Sequence, residues 1–246
     1  MQRHIAKTSS PHLNRRARER LASPRLHLLK QLQPKAVDSS DPHLSSKASK
    51  NTKTLLPRFF FNCELSHLLN LIASMLGELI MLNDSLPLVS SQLTRFHSRA
   101  PPGISHRDYL HRLIRFCSLE KSTILSMVFY IDLLCAAFSS FTVNSLTVHR
   151  FLITAATVAS KGLCDSFCTN AHYAKVGGIS LAELNLLEVE FLVRVGWRVV
   201  PSVKTLQEYY QRMVARMSDV YALDPDTFLS PELSMDVPSA PPDDQR

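Results

Sequence analysis

The chain has 246 residues, 45% of them hydrophobic, so it is long enough to bury one or two cores. Its formal net charge of +7 is uneven: residues 1–58 hold 13 lysines and arginines against three acidic residues, residues 59–218 hold 14 against 11, and residues 219–246 hold one against seven. This nearly neutral middle section argues against a nucleic-acid-binding core, which would carry basic residues on a folded face.

The two ends of the chain differ in composition from the middle. Residues 1–58 mix Ser, Pro, His, Lys and Arg without periodicity and are predicted to be a disordered basic tail. Residues 219–246 are acidic and proline-rich, and are predicted to be a second disordered tail. The basic run Arg15–Arg20 fits a nuclear import signal, a mitochondrial presequence or a simple solvated charge run. We expect no secretory leader and a nuclear or cytoplasmic location.

Helical periodicity runs through the middle section, residues 59–218, and no strand alternation is evident there. The third and fourth predicted helices are apolar nearly all round, as buried central helices are, and Asp132 inside the third argues against a membrane span. The sequence therefore predicts an all-α bundle around a central element. The helices are predicted at about residues 64–82, 105–117, 122–138, 145–161, 170–176, 181–194 and 202–217.

Helix ends are marked by capping residues. Ser105 and Ser202 are expected N-caps, and Ser180 with Glu183 forms the pattern of a capping box. Gly162 is expected to be the C-cap that releases the chain from the fourth helix.

Two ionisable residues border the predicted core. Lys161 closes an apolar helix in which only His149 and Arg150 interrupt small and apolar residues, and these two are expected to form a polar strip at the solvent. Glu188 lies along the edge of an apolar stripe on the sixth helix. Charges at such borders are costly unless they are paired, so the sequence predicts a Lys161–Glu188 ion pair. Such a pair is suited to gripping a partner; the alternative is an ordinary ion pair that joins two helices. The stripe comprises Leu184, Leu187, Phe191, Leu192 and Val195.

Five cysteines, an odd number without a CxxC motif, favour a reducing compartment. Cys164, Cys168 and His172 follow one another at intervals of four, which would put them on one face if this segment were a helix. A closed zinc site needs a fourth ligand, and none is evident. We therefore expect no metal and no cofactor.

Three segments of the chain carry a family resemblance. The segment SLTVHRFLITAATVASKGLCDSFCTNAHYAKVGGISLAELNLLEVEFL (145–192) resembles the cyclin box of the phosphate-pathway cyclins, also called P/U-type cyclins. LTRFHSRAPPGISHRDYLHRLIRFC (93–117) and VFYIDLL (128–134) match the same family, and LCDSF is similar to its fungal members. The resemblance covers roughly residues 60–215.

The resemblance implies a cyclin fold, with a five-helix cyclin box and flanking N- and C-terminal helices, and no catalytic residue. It implies a regulatory subunit that binds and activates a Ser/Thr cyclin-dependent kinase as a heterodimer, in phosphate-responsive signalling and transcriptional control. A kinase inhibitor and a transcription-factor substrate are further implied partners; direct nucleic-acid binding and membrane association are not expected.

Three kinase-binding residues follow from the resemblance. In cyclins a lysine at the end of the third box helix and a glutamate in the fifth contact the kinase near its C-helix, and Lys161 and Glu188 occupy these positions. Asp165 stands where family members place an acidic residue that faces arginines of the kinase activation segment. The alternative for Asp165 is a helix or turn cap beside Ser166.

The chain departs from the family pattern at two places. The family usually reads Asp-Arg where this chain has Asp132-Leu133, which puts a local internal salt bridge in doubt. Family members often carry an aromatic residue after the lysine, where this chain has Gly162.

Two other classes of protein stay open at this point. A transcription-factor module would need basic residues on the folded part, and an enzyme would need a nucleophile or a phosphate-binding loop.

Overall fold

The computed structural model describes residues 53–87 and 93–225, and the predictions for residues 1–52 and 226–246, including the import signal, lie outside them. The described chain forms seven α-helices and one pair of short strands. The helices are α1 (Leu65–Asp84), α2 (His106–Cys117), α3 (Lys121–Ala137), α4 (Val148–Leu163), α5 (Asn170–Gly177), α6 (Leu181–Val195) and α7 (Val203–Arg216). The strands are β1 (Thr54–Leu56) and β2 (Tyr221–Leu223), and a single 3₁₀ turn spans Phe60–Asn62.

Helices α3 and α4 form the centre of the bundle, as predicted. Twelve of the 17 residues of α3 and 12 of the 16 residues of α4 are buried. Ala155, Ala156 and Ala159 of α4 are fully buried, and such small side chains let neighbouring helices approach closely. Helices α2 to α6 make up a five-helix box, and α1 and α7 pack against it and against each other.

Helix α1 is, within the described ranges, the one helix that is long and apolar enough to cross a membrane by length and composition. Its buried side chains, eight in number, pack in the common core, and the helix contacts α2, α3 and α7. This is the environment of a core helix.

The three predicted serine N-caps are confirmed. The side chains of Ser105, Ser180 and Ser202 each accept a hydrogen bond from the backbone N–H three residues later. The capping box at α6 is only half formed in the described contacts, because the Glu183 carboxylate pairs with Arg150.

The predicted C-cap at Gly162 is wrong. Helix α4 continues to Leu163, and the N–H of Cys164, in extended conformation, donates to the Ser160 carbonyl. Because the hydrogen-bond ladder runs past Gly162, no left-handed residue is needed there. The glycine instead makes room, since a Cβ at position 162 would lie 3.4 Å from Cγ2 of Val199.

The strand pair corrects the predicted tail boundaries. β1 and β2 pair in parallel, with Thr54 opposite Tyr221 and Leu56 opposite Leu223. Both strands were assigned to disordered tails, yet Leu56 is fully buried and Tyr221 nearly so. Strands of three residues carry too little pattern to be recognised, and these pair across 167 positions, from 54 to 221.

Candidate partner-binding site

The predicted ion pair between Lys161 and Glu188 forms at one end of the box. Lys161 lies in the last turn of α4 and Glu188 in the middle of α6. The ammonium Nζ donates to both carboxylate oxygens, over 2.7 Å to Oε1 and 2.9 Å to Oε2. The Lys161 side chain is 32% exposed and that of Glu188 only 12%, so the pair is partly withdrawn from solvent screening while its edge stays accessible.

Asn170, which the sequence analysis missed, completes this network. It is the first residue of α5, and its Nδ2 donates to Glu188 Oε2 and to Asn185 Oδ1, both over 2.8 Å. Glu188 is thus held from α4 on one side and from α5 on the other. No local signal in the sequence marks this role, because Thr169 is the residue that caps α5 and the contact of Asn170 with Glu188 arises only from the packing of α5 against α6.

Asp165 lies in the bend between α4 and α5, beside Ser166, and both residues are exposed. Its carboxylate makes no hydrogen bond or ion pair with the described part of the chain, so the capping alternative has no support. The side chain of Phe167, two residues on, is also exposed. This short connection therefore presents a free negative charge beside an aromatic ring.

The interpretation of Cys164, Cys168 and His172 as one helix face is wrong, because the chain between α4 and α5 is not helical. His172 Nε2–H donates to the Phe116 carbonyl over 2.8 Å, which ties the start of α5 to the end of α2. No group of three His, Cys, Asp or Glu side chains able to hold a metal occurs in residues 53–87 and 93–225.

The expected solvent strip at His149 is also wrong, because His149 is buried. Its Nε2–H donates to the Ile104 carbonyl over 2.9 Å, and its ring meets the Tyr109 ring edge-on with centroids 4.8 Å apart. Burial lowers the pKa of the His149 imidazole, and the nearby His106 adds to that effect.

Arg150, the residue after His149, links separate segments of the chain and is not simply a solvated charge. Its Nη1 donates to the carbonyls of Arg95 and His97, over 2.8 and 3.1 Å, and lies 3.1 Å from the Glu183 carboxylate. The loop before α2 is thereby fixed to the first turns of α4 and α6, far along α4 from Lys161.

Asp132-Leu133, which stands where the family usually has Asp-Arg, lies inside the core. Asp132 is buried in the middle of α3 and accepts a hydrogen bond from the Tyr209 hydroxyl of α7 over 2.5 Å. Leu133 is buried among apolar side chains. A tyrosine from the flanking helix therefore contacts the carboxylate without an arginine at position 133.

A five-helix box with a flanking N-terminal helix and a flanking C-terminal helix, and with a lysine–glutamate pair joining its third and fifth helices, has the architecture of a cyclin box. The Cyclin family model matches residues 27–199 of the chain. The chain belongs to the cyclin family.

Its relatives include PHO85 cyclins and plant U-type cyclins, in agreement with the resemblance. The chain is 53% identical over 189 residues to the Nuc-1 negative regulatory protein preg of Neurospora crassa, which covers 76% of this chain and 39% of the relative. It is 44% identical over 185 residues to the PHO85 cyclin PHO80 of Saccharomyces cerevisiae, covering 72% and 63%. It is 34% identical over 157 residues to Cyclin-U4-1 of Arabidopsis thaliana, covering 63% and 78%. The chain thus spans less than two thirds of the first two relatives.

Proposed function

We propose that this cyclin is the regulatory subunit of a Ser/Thr cyclin-dependent kinase of the PHO85 type and acts in phosphate-responsive signalling and transcriptional control, in the nucleus or the cytoplasm. The names of the fungal relatives, a negative regulatory protein and a PHO85 cyclin, support the pathway. The observation that carries the proposal is the Lys161–Glu188 pair, held by Asn170 at an accessible edge of the box. The kinase supplies the ATP site and every catalytic residue.

The geometry suits the capture of a partner's backbone. Lys161 has three N–H bonds and directs two of them at Glu188, so one remains to donate to a carbonyl of the kinase. The side chains are already ordered by their mutual contacts and by Asn170, which reduces the entropy that binding would otherwise remove. A partner therefore meets a preformed site.

Asp165 supplies the second part of the mechanism. Its exposed carboxylate lies four residues after Lys161 and is free to accept charge-assisted hydrogen bonds from arginines of the kinase activation segment. Because the cyclin binds the kinase conformation that presents these groups, it shifts the kinase population toward the active state.

Charge reversal with a matched control tests the ion pair. Glu188→Lys is expected to weaken binding to the purified PHO85-type kinase at least about tenfold, since it sets two cations against each other at the contact. Glu190→Lys is the control, because Glu190 pairs with Arg194 over 2.8 Å on the other side of α6. Equal affinities for Glu188→Lys and the wild type would refute the proposed role.

A double swap separates binding from folding. Lys161→Glu combined with Glu188→Lys restores an internal ion pair but presents inverted charges to the partner. We expect near wild-type thermal stability together with the weak kinase binding of the single variant. Recovery of full kinase affinity would show that the pair matters only for the fold.

Asp165→Asn tests activation apart from binding. The variant should bind the kinase with nearly unchanged affinity, because the Lys161 site is intact, while the kcat of the saturated complex falls.

A transcription-factor module is the competing class, and salt-dependent DNA binding by the full chain in the absence of kinase binding would favour it.

A further inference from the structure

An open groove of about 520 Å³ lies between the 3₁₀ turn, the first residue of α1 and the connection from α2 to α3. Its walls are mainly apolar and are formed by Phe60, Phe61, Leu65 and Leu119. Phe61 and Leu65 are each 38% exposed, although both side chains are large and apolar. A groove of this size and composition can bury the side chains of another apolar segment.

The walls of the groove are held in place by side chains of two helices. Gln207 of α7 accepts a hydrogen bond from the Phe60 N–H over 3.1 Å and donates to the Arg58 carbonyl over 2.7 Å. From α3, Nζ of Lys121 donates to the Phe61 carbonyl over 2.7 Å. The groove is therefore formed before any occupant binds, and little entropy is lost in ordering its walls.

The chain leaves β2 close to this groove. The N–H of Asp224 donates to the Leu56 carbonyl over 2.8 Å, so the residues after β2 start beside Pro57. Because β1 and β2 are parallel, β1 leads at this same end into the 3₁₀ turn that forms one wall, whereas the residues before β1 depart from the other end. Of the two chain ends outside the described ranges, the one after residue 225 is placed to enter the groove.

The first residues of that end have the length and composition of an occupant. The strand register, which sets Leu56 opposite Leu223, brings Phe228 to the level of the 3₁₀ turn if it is continued. The three residues from Pro225 to Phe228 can span about 10 Å. Leu229 follows directly, so two large apolar side chains reach the groove together.

Charge favours the same occupant. Residues 226–246 hold five acidic residues against one arginine. Lys121 lines the groove and has N–H bonds left for a carboxylate, and the exposed Arg58 lies in the segment that leads into the wall. Glu120 also lines the groove, so two cations stand against one carboxylate around it.

We propose that the chain's own segment 227–233 docks in this groove through Phe228 and Leu229 and covers it in the free protein. The inference does not depend on the proposed kinase partner, since it concerns two parts of one chain. A short tether gives the segment a high effective concentration at the groove, so a weak contact between the two is enough to keep it bound.

Photocrosslinking of the full chain tests the placement. p-Benzoylphenylalanine in place of Phe228 should crosslink within one chain to residues 60–65 and 119–122, as identified by mass spectrometry of the digested protein. The same group in place of Ser239 is the control, because it lies outside the proposed segment. Crosslinks from position 228 to a second copy of the chain, or only to added kinase, would give the groove another occupant and overturn the proposal.

Leu65→Glu blocks the groove while sparing the fold. Leu65 is the first residue of α1, where a carboxylate favours the helix, and its side chain is partly exposed. The crosslink from position 228 should fall at least about fivefold, because an apolar wall is replaced by a charge. Leu82→Glu, at a 55% exposed leucine near the other end of α1, should leave it unchanged. Equal crosslinking in Leu65→Glu and the wild type would refute the docking.

A labelled peptide gives an independent measurement. The full chain carrying Phe228→Ser and Leu229→Ser should bind a fluorescent peptide of residues 226–237 at least about tenfold more tightly than the wild type does, because its own segment no longer competes. Equal affinities, or no binding to the variant, would overturn the proposal. This comparison decides even if Leu65→Glu fails to fold, because both substitutions lie outside the described domain.

Discussion

The hydroxyl of Tyr209 on α7 donates to the carboxylate of Asp132 in the middle of α3, over 2.5 Å, where both side chains are buried. A buried carboxylate is stable only when its oxygens are hydrogen-bonded or paired. Burial and the neighbouring Asp132 charge both raise the pKa of the Tyr209 phenol, so the phenol keeps the proton that it donates. The flanking helix is therefore tied to the centre of the box by a polar contact as well as by packing.

Tyr209→Phe keeps the ring but removes this donor from Asp132. We expect the free energy of unfolding to fall by about 2 kcal/mol, because the buried carboxylate loses one of its partners. Urea denaturation measures the change. Tyr210→Phe is the matched variant: its hydroxyl donates to the neutral Pro57 carbonyl over 2.8 Å, so the loss should be smaller. A larger loss for Tyr210→Phe would contradict the importance given to Asp132.

Asn170→Ala removes the support of Glu188 from the α5 side. The carboxylate keeps Lys161 but gains freedom to rotate, so we expect roughly tenfold weaker kinase binding with little change in Tm. Titration of the immobilised kinase gives the affinity. Asn170→Asp should be worse, because it sets a second carboxylate against Glu188. Wild-type affinity in both variants would show that Asn170 does not position the pair.

His149 predicts a specific pH dependence. Its pKa is lowered in the folded state, so below the ordinary value of 6.5 the unfolded chain binds more protons at this site than the folded one. The contribution is constant above that pH, and stability is lost as the pH falls through the folded pKa, by up to about 1.4 kcal/mol per pH unit. His149→Gln, which retains a donor for Ile104, should flatten this part of the profile.

A second histidine, His97, contributes to the same pH dependence. The pKa of His97 is also lowered by burial, so its effect has the same sign. Urea midpoints measured between pH 5 and pH 8 for His149→Gln, His97→Gln and the double variant separate the two contributions. An unchanged slope in His149→Gln would show that this imidazole is not held neutral.

Residues 219–225 are predicted to stabilise the folded domain, although their composition is that of a tail. A chain truncated after position 218 loses β2 and the buried Tyr221 ring, whereas a chain truncated after position 225 keeps both. We expect the shorter chain to lose about 2 kcal/mol of stability, or roughly 5 °C in Tm. Thermal unfolding followed by circular dichroism distinguishes them. Identical Tm values would mean that the strand pair is dispensable.

Much of the fold and part of the site could be predicted because their signals are local. Helical periodicity located all seven described helices, and serine caps marked the start of three of them. Lys161 and Glu188 were recognisable because a charge at the border of an apolar stripe needs an opposite charge. Their pairing was confirmed, while their contact with a kinase stays a prediction.

The remaining features depend on contacts between distant segments. Asn170 is an ordinary helix-start residue until α5 is placed beside α6, and His149 was predicted to face solvent because a titratable side chain gives no sign of its burial. Gly162 resembles a helix stop, but the ladder continues past it because packing, rather than the local sequence, decides where α4 ends. These contacts, this burial and this helix end are determined by tertiary packing, which leaves no periodic pattern in the sequence.

The parallel arrangement of β1 and β2 has a mechanical consequence. Tension applied through the two ends of the chain pulls β1 toward its N-terminus and β2 toward its C-terminus, so the strands are loaded in opposite directions along their length. The hydrogen bonds between them are then sheared together instead of being opened one after another. The three-residue strand pair therefore resists force transmitted through the chain ends before the helices do. The helices bear load only after the hydrogen bonds of this pair have broken.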